Sequence, residues 1–175
     1  MPAHIRLAVP DDAPLLPPVE RCAAQAFRSI DELGWLADAA PMTVDRHRQL
    51  IALSTCWVAV DAQARPMGFL SAERHGSDFH IYELSVKQSV QGQGWGRRLV
   101  ETAMEYARLN QLACVTLTTF TPVPWNAPFY RRLGFEVTAG ATLGKRLADI
   151  LAQEYGCGFE PGSRCAMSWR VPRVP

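Results

Sequence analysis

The sequence predicts an α+β fold: one mixed, mostly antiparallel sheet flanked by helices. Three observations carry that expectation. Residues 56–60, 67–73 and 79–86 are β-rich runs separated by short turns, the pattern of an antiparallel meander. A helical pattern then separates the third run from another β-rich stretch at 114–119, as a parallel crossover requires. Apolar residues make up 48% and charged residues 20% of the 175, enough to build a sizeable core, and residues 1–175 read as a single domain.

Taken in order, residues 5–9 form a short strand closed by Pro10, Asp11 and Asp12. An apolar pattern over 13–27 reads as a helix broken near its start by Pro17 and Pro18. Residues 31–41 mix Trp35, Leu36, acidic residues and alanines, and fit a short helix or a loop. Leu50, Ile51 and Leu53 place a helix over 44–53. Turns are expected at 61–66 and 75–78. Leu99, Val100, Ala103, Tyr106 and Ala107 recur at helical spacing up to Leu109, with Asn110 as a stop. A short helix over 126–133 has Asn126 as a favoured N-cap, Pro128 in its first turn and Gly134 after its end. Residues 135–138, 145–155 and 165–171 read as strand, helix and strand.

Eighteen Lys and Arg face seventeen Asp and Glu, a formal net charge of +1. That balance gives no general attraction to nucleic acid or an anionic membrane. Cys22, Cys56, Cys114, Cys157 and Cys165 are odd in number and widely spaced, with no Cys-x-x-Cys and no histidine at a zinc-like distance. Reduced thiols are expected, and no metal site. The start, Met1-Pro2-Ala3-His4, lacks the apolar centre of a signal peptide, and the strongest apolar run, 51–60, is far too short for a membrane span. A soluble cytoplasmic protein is expected.

Gly92, Gly94 and Gly96 alternate between a strand pattern and a helix pattern. A helix start leaves several N–H groups unpaired and carries partial positive charge, so glycines there allow an anion to approach the backbone. Arg97 and Arg98 add charge beside it. A P-loop needs a Lys after its glycines, and a dinucleotide fingerprint needs Gly-x-Gly-x-x-Gly in a parallel unit; neither is met. A tight turn without a ligand stays open at this point.

Leu84-Ser85-Val86, then Gln91-Gly92-Gln93-Gly94-Trp95-Gly96, resembles the acetyl-coenzyme A site of the GNAT superfamily of N-acetyltransferases. Residues 125–135, with Asn126, Phe129-Tyr130 and Leu133-Gly134-Phe135, look like that family's second signature. The order of elements fits along nearly the whole chain.

The resemblance implies that the backbone of residues 91–96, with Arg97 beside it, holds the cofactor's diphosphate. The strand segment Leu84, Ser85 and Val86 would accompany the pantetheine arm, Asn126 would contact that arm, and Tyr130 would lie near its sulfur as general acid. Glu83 is the base, directly or through water; a surface glutamate or ion pair is the competing account, and His80 is a weaker base. Glu32, Trp35 and Asp38 would line the acceptor side, although Trp35 fits a core position better. The implied activity is transfer of acetyl from acetyl-coenzyme A to a small-molecule or protein amine by direct attack. A non-catalytic acyl-coenzyme A sensor or interaction module of the same fold is the alternative. A homodimer is left open.

Overall fold

The computed structural model describes residues 1–172. The strands are β1 (His4–Leu7), β2 (Cys56–Val60), β3 (Pro66–His75), β4 (Asp78–Val86), β5 (Cys114–Phe120), β6 (Glu136–Thr138) and β7 (Arg164–Arg170). The helices are α1 (Leu16–Ala24), α2 (Val44–Ala52), α3 (Trp95–Leu109), α4 (Ala127–Arg132) and α5 (Gly144–Gly156). Among the described residues the strands form one mixed sheet in the order β1-β2-β3-β4-β5-β7-β6, with flanking helices. The chain divides into two compact units: residues 1–73 with 81–105, and residues 74–80 with those from 106 onward.

In the first unit, β1 pairs antiparallel with β2, from His4 opposite Val60 to Leu7 opposite Trp57. Strand β2 pairs antiparallel with β3, with a bulge at Ala59 and Val60. All five β2 residues are buried, as their unbroken apolar run requires. Alternation sends Cys56, Val58 and Val60 into a core with Phe69 of β3, Leu16 and Val19 of α1, and Ile51 of α2.

Polar side chains close the joints of this unit. Arg6 grips buried Asp12 through two hydrogen bonds of 2.7 and 3.0 Å, and Asp12 also accepts the Val9 N–H at 2.8 Å. Thr43 caps α2 by accepting the Arg46 N–H. Asp61 accepts the N–H groups of Gln63 and Arg65, which shapes the turn between β2 and β3.

In the second unit, Asp78, Phe79 and His80 of β4 pair in parallel with Cys114, Val115 and Thr116 of β5. This is the crossover expected from the sequence. Strand β7 then lies between β5 and β6, antiparallel to both. Arg164 ties β7 to α5 by gripping Glu154 at 2.8 and 3.0 Å, while its guanidinium lies over the rings of Phe120 and Phe159. Among the described residues, no helix is long and apolar enough to cross a membrane.

Several expected boundaries change for local reasons. The helix expected over 13–27 is a shorter α1 between 3-10 turns at Pro10–Leu15 and Gln25–Ser29. Pro14 sits within the first turn, and prolines at 17 and 18 lack the N–H groups that a longer helix would use. Residues 31–38 form a further 3-10 turn. Phe135 does not open β6, because its N–H closes the end of α4 on the Tyr130 carbonyl at 3.1 Å.

His47 of α2 is fully buried against the edge of Phe69, and neither ring nitrogen has a hydrogen-bond partner. Burial pushes its pKa down to about 4. The folded chain therefore favours neutral imidazole, and this contribution is complete above the ordinary pKa of about 6.5. It is lost as pH falls through about 4. In His47→Leu, unfolding free energies from urea titration at pH 7 and pH 4 should differ less than in wild type, by about 2–3 kcal/mol.

Candidate active site

Strand β4 ends where the glycine segment begins. Glu83 and Ser85 lie on one face of β4, as alternation requires, and the Ser85 hydroxyl donates to Glu83 Oε1 at 2.7 Å. Glu83 is half-buried. Gly68 of β3 lies close to the end of β4: a Cβ there would stand 3.1 Å from the Ser85 carbonyl oxygen and 3.2 Å from Val86 Cγ2. The Lys87 N–H reaches the Met67 carbonyl at 2.8 Å, so β3 holds β4 to its last residue.

Between β4 and α3 the chain makes a 3-10 turn at Gln88–Val90 and then enters the glycine segment. The Gln91 side chain turns back and donates to the Val86 carbonyl at 2.9 Å. Gly92 and Gly94 have φ of +76° and +84°, a conformation open to glycine and costly for other residues. The first α3 N–H to find a carbonyl in this turn is that of Arg98, on Gly94, at 3.0 Å. Among the described residues, no protein acceptor meets the N–H groups of residues 92–97. A Cβ on Gly92 or Gly94 would meet nothing within 4 Å, so open space lies over this part of the backbone. Such an array suits a diphosphate.

Arg97 is exposed and paired with Glu101 one turn along, at 2.7 Å. An exposed pair of this kind is weakly held and free to exchange for an anionic ligand. Arg98 instead covers the buried Trp95 ring, 4.6 Å from its centre. Glu83, Leu84, Ser85, Val86 and residues 91–97 thus form one continuous stretch at the end of β4 and the start of α3.

Asn126 and Tyr130 belong to the second unit. Asn126 stands at the N-cap of α4, but its side chain makes no capping bond, which corrects the expected capping role. Its Oδ1 is buried with no partner. A carbonyl oxygen in that state is available to a donor, from an ordered water or a ligand. Tyr130 is buried, with Phe129 and Phe135 at its ring edges, so the helix both packs and aims it. Gly134 follows α4 with φ of +90°, as expected of a residue past a helix end.

Other candidates fare differently. His80 is buried, and one ring nitrogen lies 2.9 Å from Thr116 Oγ1. Burial, then Arg146 and His75, push its pKa down to about 3, which removes His80 as a base. Trp35 is 48% exposed and so is not the core residue that its composition suggested. Asp38 is tied up with Arg28 at 2.7 Å.

The sequence reading missed two residues. An isolated glycine within a strand marks a close backbone approach, and Gly68 carried that signal. Glu20 of α1 carried none. Both its carboxylate oxygens accept the Met42 N–H, at 3.0 and 3.2 Å. Burial, and then the charge of Glu83, push its pKa up to about 8.

A β-α-β crossover with a glycine turn and unpaired N–H groups at its helix start is an arrangement that suits a phosphorylated ligand. The fold is found in solved structures. A PaiA N-acetyltransferase from Thermoplasma acidophilum, solved in complex with coenzyme A, matches with a TM-score of 0.69 at 16% identity, over 97% of this chain and 99% of its own. The ribosomal-protein-S18-alanine N-acetyltransferase of Escherichia coli matches at 0.67 and 14% identity, over 99% and 96%. A GNAT family N-acetyltransferase from Escherichia coli in complex with coenzyme A matches at 0.62 and 18%, over 98% and 83%. The family model for the acetyltransferase (GNAT) domain matches residues 52–137, which span β2 to β6 and contain the glycine segment, Asn126 and Tyr130. Residues 52–137 of the chain are thus a GNAT acetyltransferase domain.

The close approach at Gly68 gives a direct test. Gly68→Ala should lower the unfolding free energy measured in urea by about 1–3 kcal/mol, because the added methyl meets backbone as well as a side chain.

Proposed function

We propose that this chain moves the acetyl group of acetyl-coenzyme A onto a primary amine, which attacks directly in a ternary complex. The observation that carries the reading is the run of unpaired N–H groups over residues 92–97 beneath open space. When bound, acetyl-coenzyme A supplies an acyl group activated as a thioester. The N–H groups of residues 92–96 hold the diphosphate, with Arg97 beside them; the Gln91 N–H, expected to join them, is taken by the Gln88 carbonyl at 3.3 Å. The segment Leu84, Ser85 and Val86 runs beside the pantetheine arm in the manner of an added strand. Asn126 receives a donor from that arm, and its buried, unpartnered Oδ1 supports the assignment.

An alkyl amine has a pKa of about 10.4 and arrives as an ammonium. Glu83 takes its proton at the carboxylate, directly or through one water, and Ser85 fixes that carboxylate by donating to Oε1. The Tyr130 hydroxyl gives its proton to the departing thiolate, whose thiol has a pKa of about 8.5 if Cys is a fair model. Neither Cys56 nor Cys114 suits a route through an acetylated cysteine. Burial pushes the Cys56 thiol up to about 11 and the Cys114 thiol up to about 12, which leaves both poor nucleophiles at neutral pH.

Release of free thiol from acetyl-coenzyme A across an amine panel is the primary test. Calorimetric binding of the cofactor with no turnover on any amine would make the protein a sensor of the same fold. Gly94→Ala should weaken coenzyme A binding at least tenfold, comparable with the ~1–2 kcal/mol that a left-handed alanine costs. Tyr130→Phe should lower kcat by about 10²-fold with little change in coenzyme A affinity. An unchanged rate and pH profile would remove Tyr130 as the acid.

A further inference from the structure

The second unit turns one face of its sheet toward α5, and that face is polar. Register lines up Asp78, Cys114 and Arg170 across three strands, with Thr116, Ser168 and Glu136 in the next row. Helix α5 is tied to this face near its start by Arg146 and near its end by Glu154, which accepts from the Thr118 hydroxyl at 2.6 Å. Beside the start of α5 the face opens into a groove of about 1040 Å³. Its walls include Asp78, Thr116, Glu136, Ser168 and Arg170 from the sheet and Gly144 from the helix. A Cβ on Gly144 would meet nothing within 4 Å. Small-molecule sites span about 300–1,000 Å³ and carry a few placed polar groups, so the groove has room for a ligand. Every residue around it belongs to the second unit, and none is assigned to the cofactor or the acceptor.

The hydrogen bonds of these residues leave cationic donors unused. Arg146 Nη2 donates to Asp78 Oδ2 and to Thr116 Oγ1, both at 3.1 Å, and Asp78 Oδ1 accepts the Cys114 thiol proton at 3.1 Å. Asp78 is thereby matched. Nη1 of the same guanidinium is buried and meets no acceptor. A charged donor left so is costlier than a neutral one, and an acceptor brought to it is correspondingly favoured. Arg170 lines the groove and makes no ion pair among the described residues, although Glu136, opposite Ser168, is its diagonal neighbour on that face. Ser168 accepts from Thr138 at 2.8 Å, which leaves its own hydroxyl proton to give.

We propose that this groove binds a small organic carboxylate, held by Arg170 and, at the wall formed by Asp78 and Thr116, by Arg146 Nη1, directly or through one water. A planar carboxylate matches the fork of a guanidinium, and two arginines can share its oxygens. Ser168 donates to whichever oxygen faces β7. Glu136 looks into the same space and opposes the ligand's charge.

The test is titration of the full-length protein with succinate at constant ionic strength, followed by the ¹⁵N signals of the backbone and of arginine Nε. Succinate should bind saturably, with the largest shifts among the residues around the groove. Arg170→Gln should weaken binding at least tenfold, and Arg146→Lys, which keeps the charge and loses Nη1, by a similar factor. Glu136→Gln removes the opposing charge and should tighten binding several-fold. Arg170 and Glu136 are exposed and hold no part of the fold by an ion pair, so these two variants decide the matter if Arg146→Lys unfolds. Shifts that never saturate, equal affinity in Arg170→Gln and wild type, or shifts confined to residues 91–97 would overturn the proposal. Binding is read without turnover, so a failure here leaves the acetyl-transfer reading standing, and the reverse holds too.

Discussion

Unpaired peptide N–H groups at the start of α3 are the constraint around which the first unit is arranged. They exist because the chain leaves β4 through a segment that only glycine can follow at two positions, Gly92 and Gly94. The Gln91 amide fixes that segment to the last carbonyl of β4, and Gly68 lets β3 lie against the same end. The proposed binding segment and the proposed base are therefore neighbouring stretches of one chain, with Glu83 and Ser85 a few residues before the glycines. A shift in how β4 ends would move both together.

The polar groups in this protein show how burial sorts similar residues into different roles. His47 and His80 are both buried and both held neutral. Neither suits proton transfer near neutral pH, and each makes the fold sensitive to acid. Glu20 is pushed the other way, toward holding a proton. Two buried thiols are likewise pushed up and silenced. Desolvation is the first cause in all of these, and neighbouring charge only adjusts the result.

Much of the fold was legible because the relevant signals are local. β-rich runs separated by turns marked β2, β3 and β4, and helical spacing marked α3 to the residue at its C-terminal end. The glycine segment and residues 125–135 carried the candidate site through their resemblance to the family's two signatures. Other features depend on what the chain meets after folding. No pattern within 164–170 says that β7 lies between β5 and β6, because strand order is decided by pairing across the sheet. The proline-rich start of α1 hid a change to 3-10 geometry that depends on individual missing N–H groups. Glu20 looked like any helical glutamate until the Met42 N–H stood beside it, and Trp35 looked like core until its ring was seen to be exposed.

The place of β7 has a bearing on how the protein is made. Its neighbours on either side, β5 and β6, come from earlier in the chain, and the Arg164 clasp on Glu154 comes with it. During synthesis, β5 and β6 must wait for a segment that leaves the ribosome some twenty-five residues after β6 has emerged. Until then the edge of β5 is exposed to solvent and to other chains, and a nascent polypeptide stalled before Arg164 presents an open ladder for aggregation or chaperone capture.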